Sequence, residues 1–203
     1  MRLFTALELN SKVVGNLTEL VRRLRPYAPI RWVHPQNMHV TLKYIGDWSG
    51  GRAEEVVRAL SRVKHPGPMN VPLAGLGFFP SSRHPRVFWV GAENTTALRQ
   101  LASSIDAVLQ PLGIAPEVRP YQPHLTLGRI LDKGPFPDLD VAIEELPSRE
   151  FGAIAPDRFV LFESTLTPSG PIYRKVAEFP FVEQGAERAA AASVGGRSLV
   201  GAK

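Results

Sequence analysis

The sequence contains no cysteine. Without thiols the chain cannot form disulfides, iron–sulfur clusters or thiolate zinc sites, and it cannot use a cysteine nucleophile. Long apolar runs are also absent, since no stretch reaches the roughly 20 residues that cross a bilayer. The apolar start of the chain is interrupted by Glu8 before it attains the length of a signal peptide. We therefore expect a cytoplasmic protein without a membrane anchor, which the lack of disulfides also suits.

The composition is that of a globular protein that can bury a core. Hydrophobic residues make up 44% of the 203 residues and charged residues 21%. The net charge of +5 and the pI of about 9.8 suit an anionic partner such as nucleic acid or a phosphorylated small molecule. Charge carried only for solubility explains the same balance equally well, because the basic residues are scattered. Oligomerisation has no sequence signal, so a monomer is expected.

Hydrophobic periodicity predicts short strands that alternate with amphipathic helices. Helices are expected after Asn10 or Ser11, after Ser49, after Asn94 or Thr95, and over residues 138–146. Several strand pairs resemble hairpins, which favours an α+β fold with antiparallel pairing over a doubly wound parallel sheet. The predicted strands cover residues 2–9, 38–46, 69–78, 86–91, 124–130, 156–164 and 172–181.

One four-residue pattern occurs twice in the chain. His39-Val-Thr41-Leu is followed 85 residues later by His124-Leu-Thr126-Leu, and both copies come after a proline-containing loop. Only five histidines are present, so two matching copies on predicted strands are unlikely to be accidental. The repeat predicts one domain over residues 1–182 built from two lobes, residues 1–92 and 93–182, around a shared cleft. Residues 183–203 are rich in small residues and are expected to form a flexible tail.

The motif residues have the chemistry of phosphodiester cleavage. Side chains at positions i and i+2 of a strand share a face, so each histidine lies beside its threonine. An imidazole takes or gives a proton near neutral pH, and two of them can divide base and acid roles. Threonine hydroxyls can donate hydrogen bonds to phosphate oxygens. A single such motif is usually structural, and zinc is a weaker alternative because no carboxylate accompanies either copy.

The doubled motif resembles the two-histidine (2H) phosphoesterase superfamily. Its flanks are similar to those of RNA 2′,3′-cyclic phosphodiesterases, also called 2′-5′ RNA ligase-like proteins. The matching stretches are residues 2–9, 32–47, 78–91, 119–129 and 161–181. The resemblance implies a two-lobed pseudo-symmetric α+β fold with antiparallel sheets around a central cleft and helices outside. It also implies hydrolysis of a terminal 2′,3′-cyclic phosphate to a 2′-phosphate, without metal or other cofactor.

By the same resemblance, His39 is the proton donor to the leaving oxygen and His124 is the proton acceptor that activates water. Thr41 and Thr126 are implied to contact phosphate oxygens. Arg129 matches a frequent arginine of the family, but strict alternation places it on the face opposite His124. The expected partner is RNA with a 2′,3′-cyclic phosphate end, for which tRNA-derived ends are one candidate source.

For the other candidate contacts, a structural alternative is as good as the functional one or better. Lys43 shares the face of His39 by alternation, although a solvated edge charge is an equal alternative. Tyr173 is a candidate for base stacking, with aromatic packing as the stronger alternative, as it is for Trp32 and Phe79. Two arginines, Arg83 and Arg86, can attract RNA at the cleft mouth or be solvated loop charges. The remaining histidines lie beside prolines and are expected at the surface: His34, His65 and His84.

Three rival functions remain open. A related enzyme can act on a small cyclic nucleotide, a 2′-5′ oligoadenylate or a cyclic ADP-ribose phosphate, because the motifs report the phosphate and not the base. A non-catalytic RNA-binding module is disfavoured because both His-Thr pairs are intact. Ligation at 2′-5′ linkages is the reverse of the same chemistry.

Overall fold

The computed structural model describes residues 1–65, 67–131, 136–168 and 170–181. Within these ranges the α-helices are α1 (Ser11–Leu24), α2 (Ala53–Leu60), α3 (Thr95–Leu109) and α4 (Pro137–Glu144). The strands are β1 (Arg2–Glu8), β2 (Ile30–Trp32), β3 (His39–Asp47), β4 (Val71–Phe79), β5 (Val87–Ala92), β6 (His124–Ile130), β7 (Glu150–Ile154), β8 (Arg158–Thr167) and β9 (Gly170–Pro180). The predicted tail over residues 183–203 lies outside the described residues.

The described strands form one sheet in the order β7-β4-β5-β6-β3-β1-β8-β9, and β2 pairs with β6. Every pairing is antiparallel. The strands that carry the two motifs, β3 and β6, are neighbours at the centre. The predicted α+β class with antiparallel pairing is therefore confirmed. Each side of the sheet combines strands from both predicted halves of the chain, because β4 and β5 lie beside β6 whereas β8 and β9 lie beside β1.

The main core lies on the face of the sheet opposite the motif histidines. It contains the apolar residues between and after the motif positions, Val40, Leu42, Leu125 and Leu127, each at most 4% exposed. The apolar faces of α1 and α3 complete this core, and α3 packs beside β3. The alternation expected for the two motifs therefore holds where the strands begin. Burial of these side chains fixes the register, since a slip by one residue would expose all of them.

The start of α1 agrees with the cap predicted from the sequence, whereas the starts of α2 and α3 differ from the predicted ones. Asn10 caps α1 by accepting a hydrogen bond from the Val13 amide at 2.9 Å. Asn94 precedes α3 in the left-handed region, and its side chain donates to the Asn70 carbonyl instead of capping the helix. The helix predicted from Ser49 begins later, after a 3-10 turn over residues 50–52, and is shorter than its apolar pattern.

Two strands were not predicted. The three-residue β2 follows a proline and is too short to show a period, and β7 carries Gly152 at a positive φ of 101°. Both are defined by their partners, because β2 pairs with β6 and β7 pairs with β4. Local propensity therefore carries little of the information that makes them strands.

Candidate active site

The two motifs meet at the first residues of their strands. Val40 of β3 pairs with Leu125 of β6 in antiparallel register, and both side chains point into the core. Continuing this register by one residue places His39 opposite Thr126 and His124 opposite Thr41, with all four side chains on the other face. We call this face of the sheet the motif face. The two histidines are then diagonal neighbours, whose backbones are about 7–8 Å apart in a regular sheet.

Each histidine is held by the same backbone contact. The His39 Nδ1 lies 2.7 Å from the Asn37 carbonyl oxygen, and the His124 Nδ1 lies 2.7 Å from the Gln122 carbonyl oxygen. A carbonyl oxygen can only accept, so Nδ1 carries the proton in both rings and donates it. The Nε2 atom of each neutral ring is consequently the basic nitrogen. The repeat therefore gives two imidazoles with the same tautomer, each with Nε2 available for proton transfer.

Apolar surroundings lower the pKa of both histidines below the usual value. Burial lowers the His39 pKa most, and the neighbouring His124 lowers it further, against the opposing effect of the Asn37 carbonyl. Burial likewise lowers the His124 pKa, opposed by the Gln122 carbonyl. The electrostatic interaction between the two rings means that protonating one disfavours protonating the other. In the free protein near neutral pH both rings are therefore mainly neutral.

A β-bulge brings Arg129 onto the motif face. Trp89 of β5 pairs with Thr126, but Val87 pairs with Arg129, so β6 has one residue more than β5 between these pairs. Because Trp89 and Val87 share a face of β5, Thr126 and Arg129 share a face of β6. The Arg129 guanidinium also opposes the rise that burial causes in the pKa of Tyr173. The expectation that strict alternation turns Arg129 away from the histidines is therefore wrong.

A second bulge has the opposite consequence for Lys43. Ala6 of β1 pairs with Thr41 while Thr5 pairs with Lys43, so β3 has an extra residue at Leu42. Lys43 then lies on the core face and is 6% exposed, which contradicts both its placement beside His39 and the solvated alternative. Its ammonium donates to the Ala115 carbonyl oxygen at 2.8 Å and forms an ion pair with Asp106 at 2.6 Å.

Tyr44 takes the place on the motif face that alternation assigned to Lys43. Tyr44 pairs with Phe4, and Thr41 pairs with Ala6. Because Phe4 and Ala6 share a face of β1, Tyr44 shares the face of Thr41. Tyr44 is 55% exposed. Tyr44 and Arg129 occupy equivalent positions three residues after the threonine of each motif. Sequence reasoning missed Tyr44, although aligning the two motifs residue by residue would have found it.

Tyr173 lies against His39. Its ring is 5.4 Å from the imidazole and 4.9 Å from the ring of Phe4, in edge-to-face arrangements. Phe4 is also 4.9 Å from His39, and Tyr173 packs on the small apolar cluster that includes Phe4 and Phe162. These contacts account for the burial that lowers the His39 pKa. Tyr173 is half-buried, and its hydroxyl has a raised pKa because of that burial.

Aromatic residues of β4 and β5 surround His124 in a similar way. The rings of Phe79 and Trp89 lie 4.9 and 6.4 Å from the imidazole. Trp89 covers the backbone of Gly77 so closely that a Cβ at that position would lie 2.3 Å from the indole. The glycine is thus required for the indole to lie flat on the sheet beside His124. Phe79 packs against Trp89 and also lies beside His124. This position suits both alternatives for Phe79, aromatic packing and contact with a base.

A tyrosine connects the two motifs through the backbone. The Tyr121 hydroxyl, three residues before His124, donates to the Thr41 carbonyl oxygen at 2.6 Å. Burial raises the pKa of this phenol, so it remains a donor. The loop that leads into the second motif is consequently tied to the strand of the first.

The remaining candidates divide between exposed positions and packed ones. Arg83, His84, Arg86 and His34 are exposed. His65 is partly exposed, and its ring lies 5.1 Å from that of Phe181 in a tilted arrangement. Trp32 packs edge-on against the buried Phe88 at 6.0 Å, as the packing alternative predicted.

The described ranges show neither a metal-ligand cluster nor a membrane-spanning helix. In them no three or more His, Cys, Asp or Glu side chains come together in a way that could bind a metal ion. Over the same ranges no helix has the length and apolar character needed to span a membrane.

Known proteins match the chain over most of its length. The family described as LigT like Phosphoesterase matches residues 7–89 and again residues 90–173. An RNA 2′,3′-cyclic phosphodiesterase of Methanothermobacter thermautotrophicus is 36% identical over 88% of this chain and 98% of its own. One of Thermotoga maritima is 34% identical over 89% of this chain and 96% of its own. The crystal structure of a Thermus thermophilus protein has a TM-score of 0.75 at 29% identity, covering 89% of this chain and 98% of that one. Escherichia coli LigT complexed with 3′-AMP has a TM-score of 0.74 at 23% identity, covering 90% and 98%, and shows the same fold. With a doubled family match, two histidine motifs on adjacent central strands and the shared fold, this chain belongs to the LigT-like phosphoesterases of the two-histidine superfamily.

Proposed function

We propose that this protein is an RNA 2′,3′-cyclic phosphodiesterase that hydrolyses a terminal 2′,3′-cyclic phosphate to a 2′-phosphate. The observation that carries the proposal is the matched pair of imidazoles, each with Nδ1 bound to a carbonyl oxygen two residues earlier. The names of the relatives support the substrate class. A tRNA origin of the RNA end, a monomeric state and a cytoplasmic location stay predictions.

In the proposed reaction the phosphate lies between the two histidines. The His124 Nε2 removes a proton from water as the water oxygen bonds to phosphorus. The bond from phosphorus to the 3′ oxygen breaks, and the His39 Nε2 donates a proton to that oxygen. The product carries a 2′-phosphate and a free 3′ hydroxyl, and each proton transfer contributes about 10²–10⁴-fold to the rate.

Substrate binding supplies the protonation state that the reaction needs. Burial keeps the His39 pKa low in the free protein, so little of the acid form is present. A phosphate anion beside the ring favours the imidazolium and raises that pKa in the complex. The repulsion between the two rings allows the second imidazole to remain neutral as the base.

The threonines and the flanking residues act on the phosphate and the nucleoside. We assign the Thr41 and Thr126 hydroxyls to the non-bridging phosphate oxygens, because they lie opposite the two histidines in the continued register. Arg129 contributes positive charge from the end of β6. Tyr173 offers a ring edge and a hydroxyl beside His39, where a ribose or base can contact it.

Substitution of each histidine tests the pair directly. His39→Ala and His124→Ala should each reduce kcat by about 10²-fold or more on an oligonucleotide with a 2′,3′-cyclic phosphate end. The double variant should lose far less than the product of the two effects, because the residues act as a unit. Thr41→Ala or Thr126→Ala should cost about 1.5–3 kcal/mol of transition-state stabilisation each. Full activity in either histidine variant would refute the assignment.

A substrate with an activated 3′ leaving group separates the two roles. Such a leaving group needs no general acid, so it should restore activity to His39→Ala and not to His124→Ala. Restoration of His124→Ala instead would show that the two roles are reversed. Product analysis by phosphorus NMR distinguishes a 2′-phosphate from a 3′-phosphate and tests which ester bond breaks.

A further inference from the structure

We propose that Tyr121 is a positioning residue of the reaction, whose hydroxyl keeps Thr41 and His124 aligned across the two motif strands. The proposal rests on the proposed function and deepens it, because it assigns a role to a residue outside both motifs. Tyr121 lies three residues before His124, in the loop that leads into β6. Its hydroxyl is bound to a backbone carbonyl oxygen, so its effect on the rate passes through other residues.

The two motif strands share a very short ladder. Among the described residues, the ladder of β3 with β6 contains a single register pair, Val40 with Leu125, whereas that of β3 with β1 contains seven. Beyond this pair the same edge of β6 is occupied by β2 and by the Val33 amide, which donates to the Leu127 carbonyl oxygen at 2.8 Å. Ladder hydrogen bonds hold antiparallel strands in register. One pair therefore leaves the spacing of the two imidazoles weakly fixed by the sheet itself.

The Tyr121 hydroxyl adds a bond where this ladder ends. It donates to the Thr41 carbonyl oxygen at 2.6 Å, and the continued register places Thr41 opposite His124. Burial raises the pKa of the phenol, so the donor is retained over the pH range in which the histidines titrate. The same loop binds the His124 imidazole through the Gln122 carbonyl oxygen. The phenol thus connects a residue of the first motif to the segment that holds the histidine of the second.

The other hydrogen bonds of residues 121–123 lead to other elements. Arg99 of α3 donates to the Tyr121 carbonyl oxygen at 3.2 Å. The Ala92 amide at the end of β5 donates to the Pro123 carbonyl oxygen at 3.1 Å. These two bonds hold the segment against α3 and β5, and neither reaches β3. The phenol therefore sets the position of the segment relative to the first motif.

Tyr121→Phe removes the hydroxyl and keeps the ring, which packs on the main core. Without the bond, Thr41 and His124 are no longer held at one separation, and a misplacement of about 1 Å can cost about 10²-fold in rate. We expect kcat on an oligonucleotide with a cyclic phosphate end to fall about tenfold or more. KM should change much less, because the groups that bind the phosphate remain present. An unchanged kcat in Tyr121→Phe would overturn the proposal.

Two matched variants separate alignment from more general effects. Tyr27→Phe removes the hydroxyl of an exposed tyrosine after α1 and should leave kcat nearly unchanged. Arg99→Gln removes the bond of the same segment to α3 and should also leave kcat nearly unchanged. If Arg99→Gln lowered kcat as much as Tyr121→Phe does, any anchor of the segment would serve, which would contradict the specific role of the phenol.

A double-mutant cycle tests whether Tyr121 acts through His124. When His124 is replaced by alanine, no imidazole remains to be aligned. Tyr121→Phe should therefore lower kcat far less in the His124→Ala background than in the wild type, with all rates measured per folded molecule well below Tm. The same fold-loss in both backgrounds would refute action through His124, because a purely structural effect is independent of that side chain.

Amide hydrogen exchange tests the alignment without turnover. In Tyr121→Phe the amides of residues 39–41 and 124–126 should exchange about tenfold faster, as expected when one hydrogen bond is lost, while those of β8 keep their rates. Unchanged exchange at this junction would show that the hydroxyl does not hold the strands together. If the wild type does not hydrolyse 2′,3′-cyclic phosphates, the proposed function fails, and the exchange rates then decide the alignment alone.

Discussion

The buried pair of Lys43 and Asp106 gives a stability prediction that also tests which face of the sheet Lys43 occupies. The Lys43 side chain is 5% exposed and that of Asp106 is 21% exposed. Lys43→Met keeps the buried stem and removes the ammonium, so the Ala115 carbonyl loses its donor and Asp106 keeps only the amide of Glu117. Breaking a buried pair costs about 3–5 kcal/mol. Because Asp106 retains some access to water, we expect about 3 kcal/mol for this variant.

Urea unfolding and thermal unfolding measure this loss. For a domain of this size each kcal/mol corresponds to about 2–4 °C, so Tm should fall by roughly 6–12 °C. Asp106→Leu should cost at least as much, because it leaves the more buried ammonium without its carboxylate. The double variant should be more stable than Asp106→Leu, since an apolar pair can replace a buried ion pair. The exposed Arg22 is the control, and Arg22→Gln should leave the midpoint of unfolding nearly unchanged.

Activity decides between the two faces. If Lys43 belongs to the core face, kcat per folded Lys43→Met molecule should remain within a few fold of the wild type at a temperature well below its Tm. A loss of 10²-fold in kcat with unchanged stability would refute the bulge argument and return Lys43 to the motif face.

Four further expectations concern the reaction, the pH dependence of stability and the packing beside the histidines. Activity should survive EDTA, and loss that zinc or manganese restores would contradict the two-histidine mechanism. The pH profile of kcat/KM should be bell-shaped. The alkaline limb of the kcat profile should lie at higher pH than that of kcat/KM, because bound phosphate raises the pKa of His39. Alkaline limbs at the same pH in the two profiles would refute this effect of the phosphate. Because the pKa values of both histidines are lowered in the folded state, the unfolded state binds more protons than the folded state below about pH 6.5. The free energy of unfolding should therefore decrease as the pH falls through that range, and it should decrease less in His39→Gln. Gly77→Ala should cost about 1–3 kcal/mol through its clash with Trp89, whereas Gly15→Ala in α1, where a Cβ meets nothing within 4 Å, should stabilise by about 0.4–1 kcal/mol.

The histidine pair was predictable because its signal is repeated and local. His39 and His124 begin their strands, and the positions up to the leucine of each motif follow simple alternation. Both strands then gain one residue at that leucine relative to a neighbour, and alternation reverses beyond it. A bulge depends on the pairing of two strands, so the single sequence does not reveal it. Lys43 and Arg129 were misplaced for this one reason.

The same limit applies to the strands and partners that the sequence did not indicate. β2 is three residues long and is defined by its pairing with β6, so its register with that strand has no local signature. Tyr121 and Thr41 are 80 residues apart, and their hydrogen bond exists only because the fold brings the loop before β6 against β3. Periodicity predicts which face of an element is buried, but it carries no information about which element will lie beside it.

The strand order has a consequence for how the chain is made on the ribosome. β1 emerges first and pairs with β3 soon afterwards, but its other neighbour is β8, which begins at Arg158. At about 5–20 residues per second, the nascent chain carries an open β1 edge on the order of ten seconds before β8 is synthesised. An unpaired edge of this kind is a site for association with other chains. Translation that stops within β6 would therefore release a polypeptide that contains both His39 and His124. That polypeptide would still lack the β8–β9 hairpin, which covers the free edge of β1.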